Sequence, residues 1–132
     1  MAIKTIIKTW KDVDNFLGRK NNGDVVDMTG FDAINNSLTN IFTTFQGSRR
    51  MIPDFALPIY RMLFEQIDAQ TAGVLADMIL NAIKIWEPRI IVTGIVVDAR
   101  PDENTYIVTI SYTVVGNSRE QIQTFDSVLR VV

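Results

Sequence analysis

Trp86-Glu87-Pro88-Arg89-Ile90 is where the chain changes its hydrophobic period, and the fold turns on how it is read. Upstream, Leu75, Met78, Ile79, Ala82, Ile83 and Trp86 recur at three- and four-residue steps, the mark of a helix with one buried face. Downstream, apolar and polar residues alternate. Proline has no N–H and disfavours the α conformation in the residue before it. A helix entering at Trp86 therefore stops at about Glu87, and the chain leaves as a strand. An acid and a base stand at fixed positions on either side of the proline.

Working outward, the helix before this corner is expected over 71 to 86 with Thr71 as N-cap, about 24 Å long at 1.5 Å per residue. Beyond it, Tyr106, Val108, Ile110, Tyr112 and Val114 share one parity and Thr105, Thr109, Ser111 and Thr113 the other, as in a strand with one wet face. Its partner is expected over 90 to 99, joined by Arg100-Pro101-Asp102-Glu103-Asn104. A last segment, 121 to 132, places Phe125, Leu129 and Val131 on one parity; it reads as a third strand, with a helix open for its first half.

Towards the N-terminus, Ile34, Leu38, Ile41, Phe42 and Phe45 draw a buried stripe on a helix over 32 to 44, capped by Thr29 or Asp32. Asn35, Asn36, Ser37 and Asn40 form its polar side. A shorter helix is expected over 59 to 66, burying Ile59, Met62 and Leu63, with an extended piece over 49 to 52 before it. A strand is expected over 24 to 28. Residues 1 to 30 read either as an arm onto a neighbour or as packed on their own domain. The expectation is one domain over 1 to 132, α/β of the α+β kind, with about three helices on one face of a small, mainly antiparallel sheet.

The chain has 132 residues, 47% of them hydrophobic, enough to bury a core without disulfides or metal. It has neither cysteine nor histidine. A thiolate nucleophile, a Ser-His-Asp triad and the usual zinc sites are thereby excluded. The net charge of −2 provides no broad basic field for nucleic acid or anionic membrane, and Arg19-Lys20 and Arg49-Arg50 are short pairs. Lysines interrupt the first eight residues, so no signal-peptide core forms there, and no apolar run approaches the roughly 20 residues that span a bilayer. A soluble protein that is not exported by the usual route is expected. Taken singly, Glu87 with Arg89 is a solvated pair at a helix stop, the Met and Trp stripe is core, and Tyr106 and Tyr112 are core residues with hydroxyls at the sheet margin.

The order of motifs says more. A helix ending Asn40-Ile41-Phe42-Thr43-Thr44 is followed by Gly47-Ser48-Arg49-Arg50, then Pro53-Asp54-Phe55, then Leu63-Phe64-Glu65, then Trp86-Glu87-Pro88-Arg89-Ile90 and a hairpin. Over about residues 31 to 115 this resembles the baseplate wedge, or sheath-initiator, family of contractile-tailed phages, which carries a lysozyme-like label in places and has relatives in type VI secretion baseplates. The resemblance implies a structural adaptor in the virion tail baseplate, assembled in the host cytoplasm, with no cofactor, metal or small-molecule substrate. It implies six copies, with other wedge proteins of the core bundle and the tail sheath protein as partners. Glu87, Pro88 and Arg89 carry over as the partner-binding residues at the wedge contact, with the hairpin and C-terminal segment as sheath contacts. Where the family has glycine after Pro-Asp-Phe, this chain has Ala56, so a positive-φ turn there would carry a penalty or be shaped differently.

The lysozyme-like label raises an alternative, a peptidoglycan-cleaving enzyme. Glycoside hydrolysis needs two carboxylates roughly 5 to 9.5 Å apart across a sugar cleft, one with a raised pKa. Glu65 beside Phe64 and Glu87 beside Trp86 are the pair to nominate. Both lie at expected helix ends, and no second lobe is evident to form a cleft. The adaptor reading is preferred, with the equivalent secretion-system subunit as a further alternative.

Overall fold

The computed structural model describes residues 11–25, 27–58, 62, 65–116 and 122–130, with 27–29 described by backbone alone. The period change at the corner is the architectural divide. α1 (Phe31–Thr43) and α2 (Ala69–Trp86) precede it, and β3 (Ile90–Arg100), β4 (Thr105–Val114) and β5 (Gln123–Arg130) follow. A separate two-stranded sheet, β1 (Lys11–Val13) with β2 (Asp27–Thr29), comes first.

The three-stranded sheet is antiparallel throughout, ordered β3-β4-β5. Pro101–Glu103 form a 3-10 turn between β3 and β4, closed by Asn104 in the left-handed region. The expected alternation holds on its apolar parity, where Tyr106, Val108, Ile110 and Tyr112 are all 1% exposed or less, but Thr105, expected on the wet side, is buried at 5% exposure. β5 is a strand from Gln123 onward, with Phe125 and Leu129 packed against the core; Val131 lies outside the described residues. A bulge between Val92 and Gly94 shifts the β3–β4 register by one residue, which sequence alternation alone does not reveal.

Both helices pack on the inner face, α2 along β3 and α1 against β5. Phe42 meets Phe125 at 5.5 Å between ring centroids. α2 starts earlier than expected. Its N-cap is Asp68, whose carboxylate accepts the Thr71 N–H at 2.7 Å, so Thr71 is the capped residue and not the cap. α1 is preceded by Gly30 at φ 65°, with no side-chain cap; neither Thr29 nor Asp32 fills that role, because the sharp turn out of β2 requires a positive φ that glycine adopts without strain.

Two α-helices appear among the described residues, where about three were expected. Most of 59 to 66 lies outside the described residues. Met62 sits in a single tight turn, closed by the Glu65 N–H to its carbonyl at 3.2 Å, and Glu65 is no longer helical. Residues 49 to 52 are irregular rather than extended: the Gly47 N–H bonds to the Pro53 carbonyl at 2.8 Å and folds this stretch into a loop. Phe45 is 66% exposed, since α1 has already ended at Thr43 and the buried stripe ends with it.

The expected strand over 24 to 28 becomes β2 at Asp27–Thr29 with an isolated bridge from Val25 to Arg19. It pairs with β1, so residues 11 to 29 form a hairpin, held to α1 by the Asn36 amide donating to the Val13 carbonyl at 3.0 Å.

The two core tyrosines differ in one respect. The Tyr112 hydroxyl donates to Asn35 Oδ1 at 2.7 Å, whereas the buried Tyr106 hydroxyl has no hydrogen-bond partner among the described residues. A hydrogen bond contributes about 1 kcal/mol net, and an unmet buried hydroxyl costs about as much. Tyr112→Phe is therefore expected to destabilise by about 1 kcal/mol and Tyr106→Phe to be neutral or stabilising, as urea unfolding midpoints will show.

Candidate functional site

α2 ends at Trp86 as the proline dictates, and Glu87 takes the C-cap position with its N–H on the Ile83 carbonyl at 2.8 Å. That places the Glu87 side chain under the helix end, 1% exposed. Arg89 reaches back across Pro88 and closes on it as a fork: Nε to Oε1 and Nη2 to Oε2, both at 2.5 Å. The Arg89 N–H adds a weaker contact to Oε1 at 3.4 Å. Two parallel charge-assisted bonds fix the orientation of the guanidinium as well as its position.

Burial alone would push the Glu87 carboxyl up. The Arg89 hydrogen bonds, the Ser37 hydroxyl and the Arg89 charge outweigh it and hold the carboxyl below its ordinary value. Arg89 is pushed further up by the same bonds, with Asp12 of β1 adding to the field. Of the three residues expected at a partner contact, Pro88 is exposed, the Arg89 side chain is 18% exposed, and Glu87 is enclosed.

The polar side of α1 is partly internal. Ser37 bonds to Glu87, Asn35 to Tyr112 and Asn36 to Val13. A helical wheel assigns them to solvent, and the signal that could have corrected it is the need of Glu87 and Tyr112 for buried partners. Beside the corner, Trp86 meets Phe55 edge-on at 5.2 Å between centroids, and the Arg49 guanidinium lies 4.1 Å over the Phe55 ring. Phe55 thus links Arg49 to Trp86 through space, a stack the sequence reading missed.

Ala56, next in the chain, is 2% exposed with φ 87°. The positive-φ turn survives without glycine, and its strain of roughly 1–2 kcal/mol is offset in part by burial of a methyl group, about 0.8 kcal/mol.

Glu65 is elsewhere. It borders an open cleft with Met62, Asp68, Val74 and Met78, and Glu87 does not line that cleft. A glycosidase acid needs a raised pKa, while Glu87 is lowered and committed to Arg89. Among the described residues no cluster of acidic groups could hold a metal ion, and no helix is long and apolar enough to cross a membrane.

The chain and its fold match known proteins. The family model for baseplate wedge protein gp25 matches residues 29–119. The baseplate wedge protein gp25 of Enterobacteria phage T4 is 35% identical over 112 residues, covering 85% of this chain and 85% of that protein. A Geobacter sulfurreducens structure described as a candidate tail lysozyme aligns with TM-score 0.62 at 28% identity, over 74% of this chain and 88% of its own. A chain of the anti-feeding prophage baseplate has the same fold at TM-score 0.63 and 15% identity, over 93% of this chain and 86% of its own. So does one from the post-contraction pyocin R2 baseplate, at TM-score 0.55 and 21% identity, over 92% and 98%. With residues 29–119 matched by one family model and a 35% identical relative covering 85% of both chains, the chain belongs to the baseplate wedge protein gp25 family.

Proposed function

We propose that this chain is a non-enzymatic structural subunit of a contractile tail baseplate, present in the virion, that ties the wedge core to the first ring of the sheath. The observation that carries the reading is family membership over most of the chain, together with a rigid corner that has no catalytic arrangement. Other wedge proteins dock at the corner through Pro88 and the exposed rim of Arg89, while Glu87 acts from beneath by fixing the guanidinium. Six copies, the tail sheath as second partner, and assembly in the host cytoplasm complete the proposal. The same construction serves a type VI secretion baseplate, and genome neighbourhood separates the two settings.

Co-purification with the cognate wedge proteins tests this. Pro88→Asp, at an exposed site, is expected to melt near the wild type and to bind at least about tenfold more weakly, ~1.4 kcal/mol. Arg89→Lys, which keeps charge but loses the fork, should also bind more weakly. Undiminished co-purification of both variants would remove the corner from the contact. Release of soluble fragments from peptidoglycan by the wild type, lost in Glu65→Gln, would establish the enzyme instead.

A further inference from the structure

The bend that follows β1 exposes three large apolar side chains within five residues: Val13 at 52%, Phe16 at 93% and Leu17 at 65%. Single apolar residues are common on a surface, but a contiguous set marks a contact. This set is also held in place. Asp14 Oδ1 accepts the Phe16 N–H at 3.2 Å, its Oδ2 the Gly18 N–H at 3.3 Å, and its carbonyl the Leu17 N–H at 3.0 Å. The bend keeps Leu17 at φ 50°, a left-handed conformation that leucine adopts only under constraint. Gly18, which would adopt it without strain, stands one position later. Strain that local bonds maintain in this way is typical of contact and ligand sites.

The bend stands beside the corner, and consecutive residues of α1 hold the two together. The Asn36 amide donates to the Val13 carbonyl at 3.0 Å, and the Ser37 hydroxyl bonds to Glu87. From the same strand, Asp12 adds to the field at Arg89. Phe16 lies three residues past Val13, about 11 Å at full extension, so one partner surface can reach both the apolar bend and the exposed Pro88. The charges are sorted as well. The carboxylates of Asp12, Asp14 and Asp24 are turned onto main-chain N–H groups of the hairpin, whereas Arg19 is exposed. A matching surface is therefore apolar at its centre and acidic at its margin.

We propose that this bend is a second, apolar anchor for the wedge core: Phe16 and Leu17 enter a groove on a neighbouring wedge chain, and acidic groups on the margin of that groove meet Arg19 and the exposed rim of Arg89. A large aromatic side chain desolvated in a pocket supplies much of the energy of a contact. A bend already held in its bound form loses little freedom on docking. Asp14 is a positioning residue, acting through the two side chains it presents. This inference rests on the reading of the corner as the wedge contact, and it adds a part of the chain that lies outside the Glu-Pro-Arg motif.

The test is titration of the full chain with its purified cognate wedge proteins. Phe16→Ser, at a site with almost no contacts to lose, is expected to melt no lower than the wild type and to bind at least about tenfold more weakly, ~1.4 kcal/mol. Leu17→Gly relieves the positive φ and removes the side chain, so it should melt near the wild type and also bind more weakly. Asp14→Ala keeps both apolar side chains but loses the bonds that aim them; it should weaken binding, and Asp14→Asn, which keeps an acceptor, should recover part of the loss. Val128→Ser, at a site 58% exposed on the sheet, should bind as the wild type does. Full binding by Phe16→Ser and Leu17→Gly, with Pro88→Asp weakened, overturns the anchor and leaves the corner contact standing. An equal loss in Val128→Ser overturns it too, since any exposed apolar group would then serve. A wild type that binds no wedge protein overturns both readings.

Discussion

Arg89→Met is expected to cost about 3–5 kcal/mol, the cost of leaving one partner of a buried ion pair uncompensated. The large effect comes from Glu87, which is 1% exposed and loses both 2.5 Å bonds, and not from Arg89, which already reaches solvent. Adding Glu87→Gln to this variant should recover much of the loss, because the buried charge goes with it. The pH dependence has a defined sign. Glu87 is held below its ordinary value of 4.5, so its contribution is complete above about pH 4.5 and is lost as pH falls through the lower folded value. In Arg89→Met, burial is opposed only by the Ser37 hydroxyl and the weak main-chain N–H contact of residue 89; the carboxyl moves up, and acidification should stabilise the variant where it destabilises the wild type. Urea titrations from pH 3 to 7 read both arms, and parallel curves would remove the fork from the stability of the fold.

Ile79→Ala is expected to cost about 2–5 kcal/mol, while Ile85→Ala on the same helix should stay within about 0.5 kcal/mol. Both remove the same atoms. Ile79 is fully enclosed in the layer between α2 and the sheet, so its deletion opens a cavity as well as losing transfer free energy. Ile85 is 66% exposed and leaves no hole. Equal midpoints for the two variants would mean that α2 presents a different face to the sheet.

The elements whose periodicity was long enough to define a face were legible before the structure. α2, the β3–β4 hairpin and the stop at Pro88 follow from apolar spacing and from the missing proline N–H. What was not legible depends on through-space partners. Asn36 looks solvated on a wheel, yet it is buried because the β1–β2 hairpin lies against it. Phe45 continues a stripe in sequence but not in space, since the helix has ended. Glu87, Pro88 and Arg89 were visible as a motif from their order. That the acid lies beneath the base depends on the C-cap geometry of α2, which spacing alone does not determine.

The connection from α2 to β3 also has a mechanical side. Glu87, Pro88 and Arg89 are the only residues between an 18-residue helix and an 11-residue strand, and the fork ties the first of them to the third. A linker this short, stiffened by a ring and crossed by two bonds, stores no slack. Force applied along β3 passes to the helix at once, so the helix and the strand move as one rigid lever about the corner.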